Sequence, residues 1–343
     1  MKNQEEEEEM VMKQVQEHKE EVRRMFGAAE KCSETLSLID SIQRLGIFNK
    51  FTNERGDFKE SIKKDEAGLL SSYEASQLRM RGEKILDEAL AFTTIQLEAM
   101  AMDSTSSFSE EAKYALKRPV YKTMPRFMSR HYISLYNNNP SNNNVLLTFA
   151  KLDYNSLQQL FRKELSELSR WWKDMKLQEQ LSFARDRVVE CYVWALGVDY
   201  EPKHSLARII LAKVIAFISL LDDMYDVYAT LDELQLFTNA IERWDITGIE
   251  KFPNYMKVLY EAILKHYGEI EQVTCKENNT PFAFDYAKER MKRQCKAYLM
   301  EAKWFNEGYI PTMEEYMEVA ITSASYYVFA SIALLGKKHG GQI

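Results

Sequence analysis

Three carboxylates fall within five residues in Leu220-Leu221-Asp222-Asp223-Met224-Tyr225-Asp226. Asp222 and Asp226 are four apart, so on a helix they share one face with Cβ atoms roughly 5–6 Å apart. Like charges at that spacing repel, and burying them costs more still. A cation held between them relieves both penalties. Ligands that are all oxygen favour a hard ion, Mg²⁺ ahead of Zn²⁺. Mg²⁺ dehydrates reluctantly, so it pairs with a few carboxylates and a phosphate-bearing ligand. The plainer alternative is a solvated helix end that carries three acids. The surroundings weigh against it. A mostly apolar run over 209–221 leads in without Gly or Pro, and Val227, Tyr228 and Ala229 continue the pattern beyond the acids. Asp is a poor residue for a helix interior, and carboxylates inside such a helix need a reason.

A second cluster stands upstream. Arg185-Asp186-Arg187 precedes the apolar stretch 188–196. As a surface feature it is a weak ion pair. As chemistry, two guanidiniums match phosphate oxygens better than any other side chain. An acidic metal-binding face and an Arg pair suit opposite sides of one diphosphate, although spacing alone does not bring them together. Trp194, Tyr225, Tyr228, Trp304, Phe305, Tyr309, Tyr326 and Tyr327 crowd the same half. Core packing accounts for most aromatics of this kind, while a few could line a dry pocket whose ring faces stabilise a cation.

The elements that must position these groups read as helices. Helical spacing of apolar residues marks 25–45, 67–78, 85–102, 114–135 with breaks at Pro119 and Pro125, 145–174, 183–197, 205–229, 231–243, 255–273, 284–306 and 314–335. No period-2 alternation of sheet length and no fixed repeat appears. The Asn-rich run 137–144 is the clearest loop. The reading is an all-α chain of two helical domains, 1–140 and 141–343. A net charge of −7 argues against a nucleic-acid partner. The four cysteines are scattered, without CxxC or a Cys/His cluster, which points to reduced thiols. The apolar run 326–335 is too short to span a bilayer. The acidic start, Glu5 to Glu9, resembles neither a transit peptide nor a secretory signal, so the expected location is the cytoplasm.

An ordered set of residues resembles the plant terpene synthase family, of the cytosolic sesquiterpene synthase type. It comprises Ser169-Arg170-Trp171-Trp172-Lys173-Asp174, Ala184-Arg185-Asp186-Arg187-Val188-Val189-Glu190-Cys191-Tyr192, Trp194-Ala195-Leu196-Gly197, the DDxxD of Asp222, Asp223 and Asp226, Arg243-Trp244-Asp245, and Trp304-Phe305-Asn306-Glu307-Gly308-Tyr309-Ile310-Pro311. Upstream, Tyr73-Glu74-Ala75-Ser76 and Ala89-Leu90-Ala91-Phe92-Thr93 match as well. DDxxD alone is shared with prenyl diphosphate synthases; the ordered set is far more specific and covers nearly the whole chain.

The resemblance implies a class I terpenoid synthase fold, an α-bundle preceded by part of an N-terminal α-barrel domain. It implies a monomeric, Mg²⁺-dependent lyase, with Mn²⁺ as an alternative ion. The substrate would be a prenyl diphosphate, farnesyl diphosphate first. Asp222 and Asp226 would bind metal with Asp223 supporting. Arg185 and Arg187 would hold the departing diphosphate, and Trp194, Ser323, Ser325 and Tyr326 would shape the pocket. Three departures accompany the match. The family's second metal motif is not reached before Ile343, and the N-terminal arm with its paired Arg is missing. A helical segment that the family carries between Ile47 and Phe48 is skipped. The resulting expectation is a sesquiterpene synthase lineage in which this chain has weak or no cyclase activity. The alternatives are a non-catalytic helical protein that binds a diphosphate or a partner, and a monoterpene synthase. A prenyl diphosphate synthase is disfavoured by the two-domain layout and by the Arg pair upstream of the acids.

Overall fold

Among the described residues most of the apolar spacing becomes helix, and no strand forms. The structure is a computed structural model that describes residues 13–18, 52–53, 58–106, 108–138, 140, 142–278 and 281–335. The helix expected over 25–45 and the junction at Ile47 and Phe48 lie outside the described residues. In chain order the main helices are α1 (Glu66–Ser76), α2 (Lys84–Met102), α3 (Ser109–Lys117), α4 (Pro125–Asn138), α5 (Asn144–Met175), α6 (Val188–Val198), α7 (Ser205–Asp223), α8 (Leu231–Arg243), α9 (Asn254–Asn278), α10 (Pro281–Glu307), α11 (Met313–Ser323) and α12 (Tyr326–Leu335).

The chain forms two units, Met1–Ser156 and Leu157–Ile343. The sequence places a boundary at the Asn-rich loop, which does separate α4 from α5. The division between units instead falls inside α5. No Gly or Pro occurs in Asn144–Met175, so nothing in its own sequence breaks the helix there.

In the first unit, α1, α2 and α3 close around Leu69, Tyr73, Leu97, Met100, Ala101, Ala112 and Ala115. Pro119 and Pro125 punctuate as expected. The α3 helix ends at Lys117, and α4 takes Pro125 as its first residue, where a missing N–H costs nothing. The Val120 N–H donates to the Glu74 carboxylate at 2.9 Å, which pins the intervening turn.

In the second unit, α7 is mostly apolar around its circumference and is accordingly mostly buried. Ala207, Ile210, Leu211, Val214, Ile215, Phe217, Ile218, Leu220 and Leu221 all lie in the core. Arg208 sits among them. Its guanidinium donates to both Glu164 oxygens, at 3.0 and 2.7 Å, and to the carbonyl of Glu201, while the Tyr192 hydroxyl donates to Glu164 at 2.7 Å. One buried network therefore ties α5, α6 and the lead-in of α7 together. Two helices begin with reciprocal capping boxes, Thr230 with Glu233 for α8 and Thr312 with Glu315 for α11.

Among the described residues, two helical stretches, Pro202–Tyr228 and Met313–Leu335, are long and apolar enough to cross a membrane by length and composition alone. The first is largely buried as a core helix. The second is broken between α11 and α12 at Ser325, whose φ of 64° is left-handed.

His266 on α9 carries a pH dependence. It is buried against the rings of Trp171 and Phe217, with its Nδ1 3.4 Å from the Glu269 carboxylate. Burial, with repulsion from Lys213, pushes the imidazole down to about 4, and Glu269 only partly opposes this. The unfolded chain therefore takes up a proton near pH 6.5 that the folded chain refuses. The contribution is complete above pH 6.5 and is lost as pH falls toward 4, amounting to about 2 kcal/mol between pH 7 and 5. Urea unfolding at the two pH values should show this loss in the parent chain and a smaller one in H266Q. Equal losses would rule it out.

Candidate active site

The acidic face sits where α7 changes pitch. After Asp223 the backbone widens into a π-helical turn over Met224–Tyr228, closed by the Ala229 N–H on the Met224 carbonyl at 3.0 Å. Such turns gather at functional sites. Met224 and Tyr225 point into the core and anchor the turn. The Tyr225 hydroxyl pairs with Thr238 Oγ1 at 2.8 Å, and its ring packs 5.7 Å from Tyr298. Asp226, Val227 and Tyr228 are left exposed. The sequence reading of one continuous helix over 205–229 thus becomes α7 plus a wider turn.

Asp222 lies near enough to Asp226 for its charge to raise the Asp226 carboxyl. Burial pushes the Asp222 carboxyl above the usual carboxylate range. A Tyr298 hydroxyl hydrogen bond pulls it back, Asp223 pushes it further, and Arg185 and Arg187 oppose that. Asp226 keeps one side open to solvent, and its carboxyl is raised by partial burial and then by the charges of Asp222 and Asp223. Glu301 joins them from α10. It is raised by burial and by the charges of Asp226 and Asp222, while Ser323 Oγ donates to it at 2.8 Å. Asp223 turns elsewhere. It takes a bidentate pair of hydrogen bonds from Arg185, the Nε bond at 3.0 Å, and this contact favours the charged guanidinium.

Among the described residues, no group of three or more His, Cys, Asp or Glu side chains is gathered as a ready metal site. The donors nonetheless fit a hard divalent ion. Asp222, Asp226 and Glu301 offer carboxylate oxygens, and all three carboxyls are raised, first by burial and then by neighbouring carboxylate charge, a penalty that a cation would relieve.

Arg185 and Arg187 lie on an irregular loop. The helix expected over 183–197 starts only at Val188, because the side chains of the loop are spent on the turn after α7. Arg187 lies near enough to Asp222 to lower its carboxyl. Trp194 on α6 is half exposed, at 50%, and Tyr326 at the start of α12 is exposed. Ser323 and Ser325 form the break between α11 and α12. Buried Gln294 holds that break, its Nε2 donating to the Ser323 carbonyl at 2.8 Å, and Ser325 Oγ lies 3.5 Å from the Tyr298 hydroxyl. Two large concavities lie away from these acids. One of about 810 Å³ is in the first unit, lined by residues such as Tyr132 and Leu146; the other, of about 690 Å³, lies beside Trp171 and His266.

Sequence reasoning missed Glu301, Tyr298 and Gln294. A signal was there. Residues 294, 298 and 301 recur at i, i+4 and i+7, a polar stripe along one face of a helix otherwise marked by Met291, Cys295 and Leu299.

An all-helical fold with an acidic helix end facing an arginine loop defines a class I terpene synthase architecture. The profile of the terpene synthase family metal binding domain matches residues 173–342, and that of the terpene synthase N-terminal domain matches 47–116. The chain belongs to the terpene synthase family. It is 46% identical to a (-)-germacrene D synthase of Vitis vinifera, over 94% of this chain and 66% of that protein. It is 49% identical to a (+)-delta-cadinene synthase isozyme A of Gossypium arboreum, over 84% of this chain and 52% of that one. The chain therefore spans about half to two thirds of the length of such curated relatives. The Vitis alignment runs to 371 positions, more than the 343 residues here, so the relative carries residues that this chain lacks. Isoprene synthase from grey poplar leaves superimposes with a TM-score of 0.84 at 32% identity, over 97% of this chain and 73% of its own. A second structure of that enzyme, in complex with three Mg²⁺ ions and dimethylallyl-S-thiolodiphosphate, gives 0.81 at 32% identity, over 93% and 66%.

Proposed function

We propose that the chain carries the ionisation site of a sesquiterpene synthase acting on farnesyl diphosphate. The observation that supports this most is the shared electrostatics of Asp222, Asp226 and Glu301 at the end of a buried helix, within reach of the charges of Arg185 and Arg187. Asp222, Asp226 and Glu301 would hold Mg²⁺, which when bound supplies Lewis-acid polarisation of the diphosphate oxygens. Asp223 acts through Arg185, whose charged form it favours. Arg185 and Arg187 would bind the diphosphate as the allylic C–O bond breaks and both bonding electrons leave with oxygen. The carbocation then needs a wall of apolar and aromatic groups that keeps water out. Trp194 and Tyr326 would belong to that wall, and Ser323 and Ser325 would set the break that shapes it. The names of the relatives favour a sesquiterpene product. The cytoplasmic placement rests on the scattered cysteines, of which Cys191 and Cys295 are buried and unpaired.

The test incubates the 343-residue chain and D222A with farnesyl diphosphate and with geranyl diphosphate, each with and without Mg²⁺. Binding is read by calorimetry and products by gas chromatography–mass spectrometry. Mg²⁺-dependent binding of farnesyl diphosphate that disappears in D222A is the expected result. Hydrocarbon shows turnover. Binding without hydrocarbon selects a non-catalytic diphosphate-binding protein, preference for geranyl diphosphate selects a monoterpene synthase, and no binding at all removes the proposal.

A further inference from the structure

The irregular loop before α6 is held mainly by its side chains, and they reach one place. Ser182 Oγ donates to the Tyr228 hydroxyl at 3.1 Å. The Phe183 ring packs on Tyr228 with centroids 4.4 Å apart. Arg185 grips Asp223. Tyr228 in turn meets Tyr255 edge-on at 5.0 Å, and Phe183 meets Tyr255 at 6.0 Å. Tyr255 is not free to drift, because its hydroxyl donates to Glu233 at 3.1 Å and Glu233 is the reciprocal partner in the α8 capping box. A rigid helix start thus supports Tyr255, Tyr255 supports Tyr228, and Tyr228 supports the loop.

The ion pair cannot hold the loop by itself. The Arg185 side chain is about half exposed, and an exposed pair gains little after solvent screening and side-chain entropy. The three-ring cluster removes apolar surface from water and adds the directional preference of edge-on aromatic contacts. We infer that Tyr228 is a positioning residue that latches the Arg185 loop to the turn bearing Asp226. It makes the basic and acidic sides of the site one mechanical unit. The role of Arg185 toward a diphosphate rests on the function proposed above; the latch itself does not.

Limited trypsin digestion of the whole chain tests the latch directly. Trypsin cuts after Arg185 and Arg187 only when the loop leaves its seat, and mass spectrometry resolves those two bonds from all others. Y228F keeps the rings and loses only the Ser182 bond, so cleavage there should rise about fivefold, the scale of one hydrogen bond. S182A should match it, and S182A/Y228F should add nothing. Y228A, which also loses the ring contacts, should rise by more than about tenfold. The thermal midpoint of Y228F should stay at the parent value, which a general loss of structure would not allow. Cleavage at the parent rate in both Y228F and Y228A would overturn the inference, and Y228F decides alone if Y228A fails to fold. Titration with inorganic pyrophosphate and Mg²⁺ gives the second arm. Y228A should weaken binding about as much as R185A, and the double variant no more than R185A. Fully additive losses would overturn the inference. A parent chain that binds no pyrophosphate would count against the proposed function, with the digestion still deciding the latch.

Discussion

Replacing Arg208 with alanine should lower the stability of the chain by about 3–5 kcal/mol, the usual result of leaving one buried charge without its partner. Arg208 is 0% and Glu164 2% exposed, so no water is at hand to take over. The substitution removes both guanidinium–carboxylate bonds and strands Glu164 beside Tyr192. It also frees the Glu201 carbonyl at the entry to α7 and the Phe161 ring that the guanidinium covers at 5.3 Å. For a unit of this size the midpoint of thermal unfolding should fall by roughly 10 °C. The combined variant R208M/E164L/Y192F should recover most of that loss, because apolar groups of similar volume often match a buried pair. Calorimetry of the parent, the single and the combined variant checks both statements. A drop no larger than that of a surface substitution would mean that the network does not organise α5, α6 and α7.

Replacing Asp222 with asparagine should have opposite effects with and without metal. Without metal, the variant removes a repelling charge from a half-buried face, so its stability in chelator should equal or slightly exceed that of the parent. With screening by solvent the gain stays below about 1 kcal/mol. With Mg²⁺ and pyrophosphate at about a hundred times their dissociation constant, the parent gains about 2.7 kcal/mol by mass action, and D222N should gain almost none of it.

The same groups give a pH signature. Asp222, Asp226 and Glu301 all have raised carboxyls in the folded chain. The stability that they contribute in the absence of metal is fully present below the unfolded values near 4. It is lost as pH rises through the raised folded values. D222N should flatten that decline in chelator. An unchanged pH profile together with full metal-dependent stabilisation in D222N would exclude Asp222 from the metal site.

Helix periodicity and the buried run into Asp222 were legible in the sequence, because both are set by neighbours within a turn or two along the chain. So were the Pro breaks around α4 and the family itself, which ordered local motifs carry. What depended on which helix lies against which was not legible. Whether the Arg185 loop meets the acids is decided by packing between α6 and α7. So is the turning of Asp223 toward Arg185, away from Asp222 and Asp226. The late start of α6 at Val188 follows from the same cause: apolar spacing over 183–197 favours helix, but Phe183 is worth more on Tyr228 and Tyr255 than in another helical turn. Glu301 and Tyr298 stand some seventy-five residues beyond the aspartates. Only the packing of α10 beside the end of α7 makes them part of the same acidic site, and a contact across that separation leaves no periodic trace in either segment.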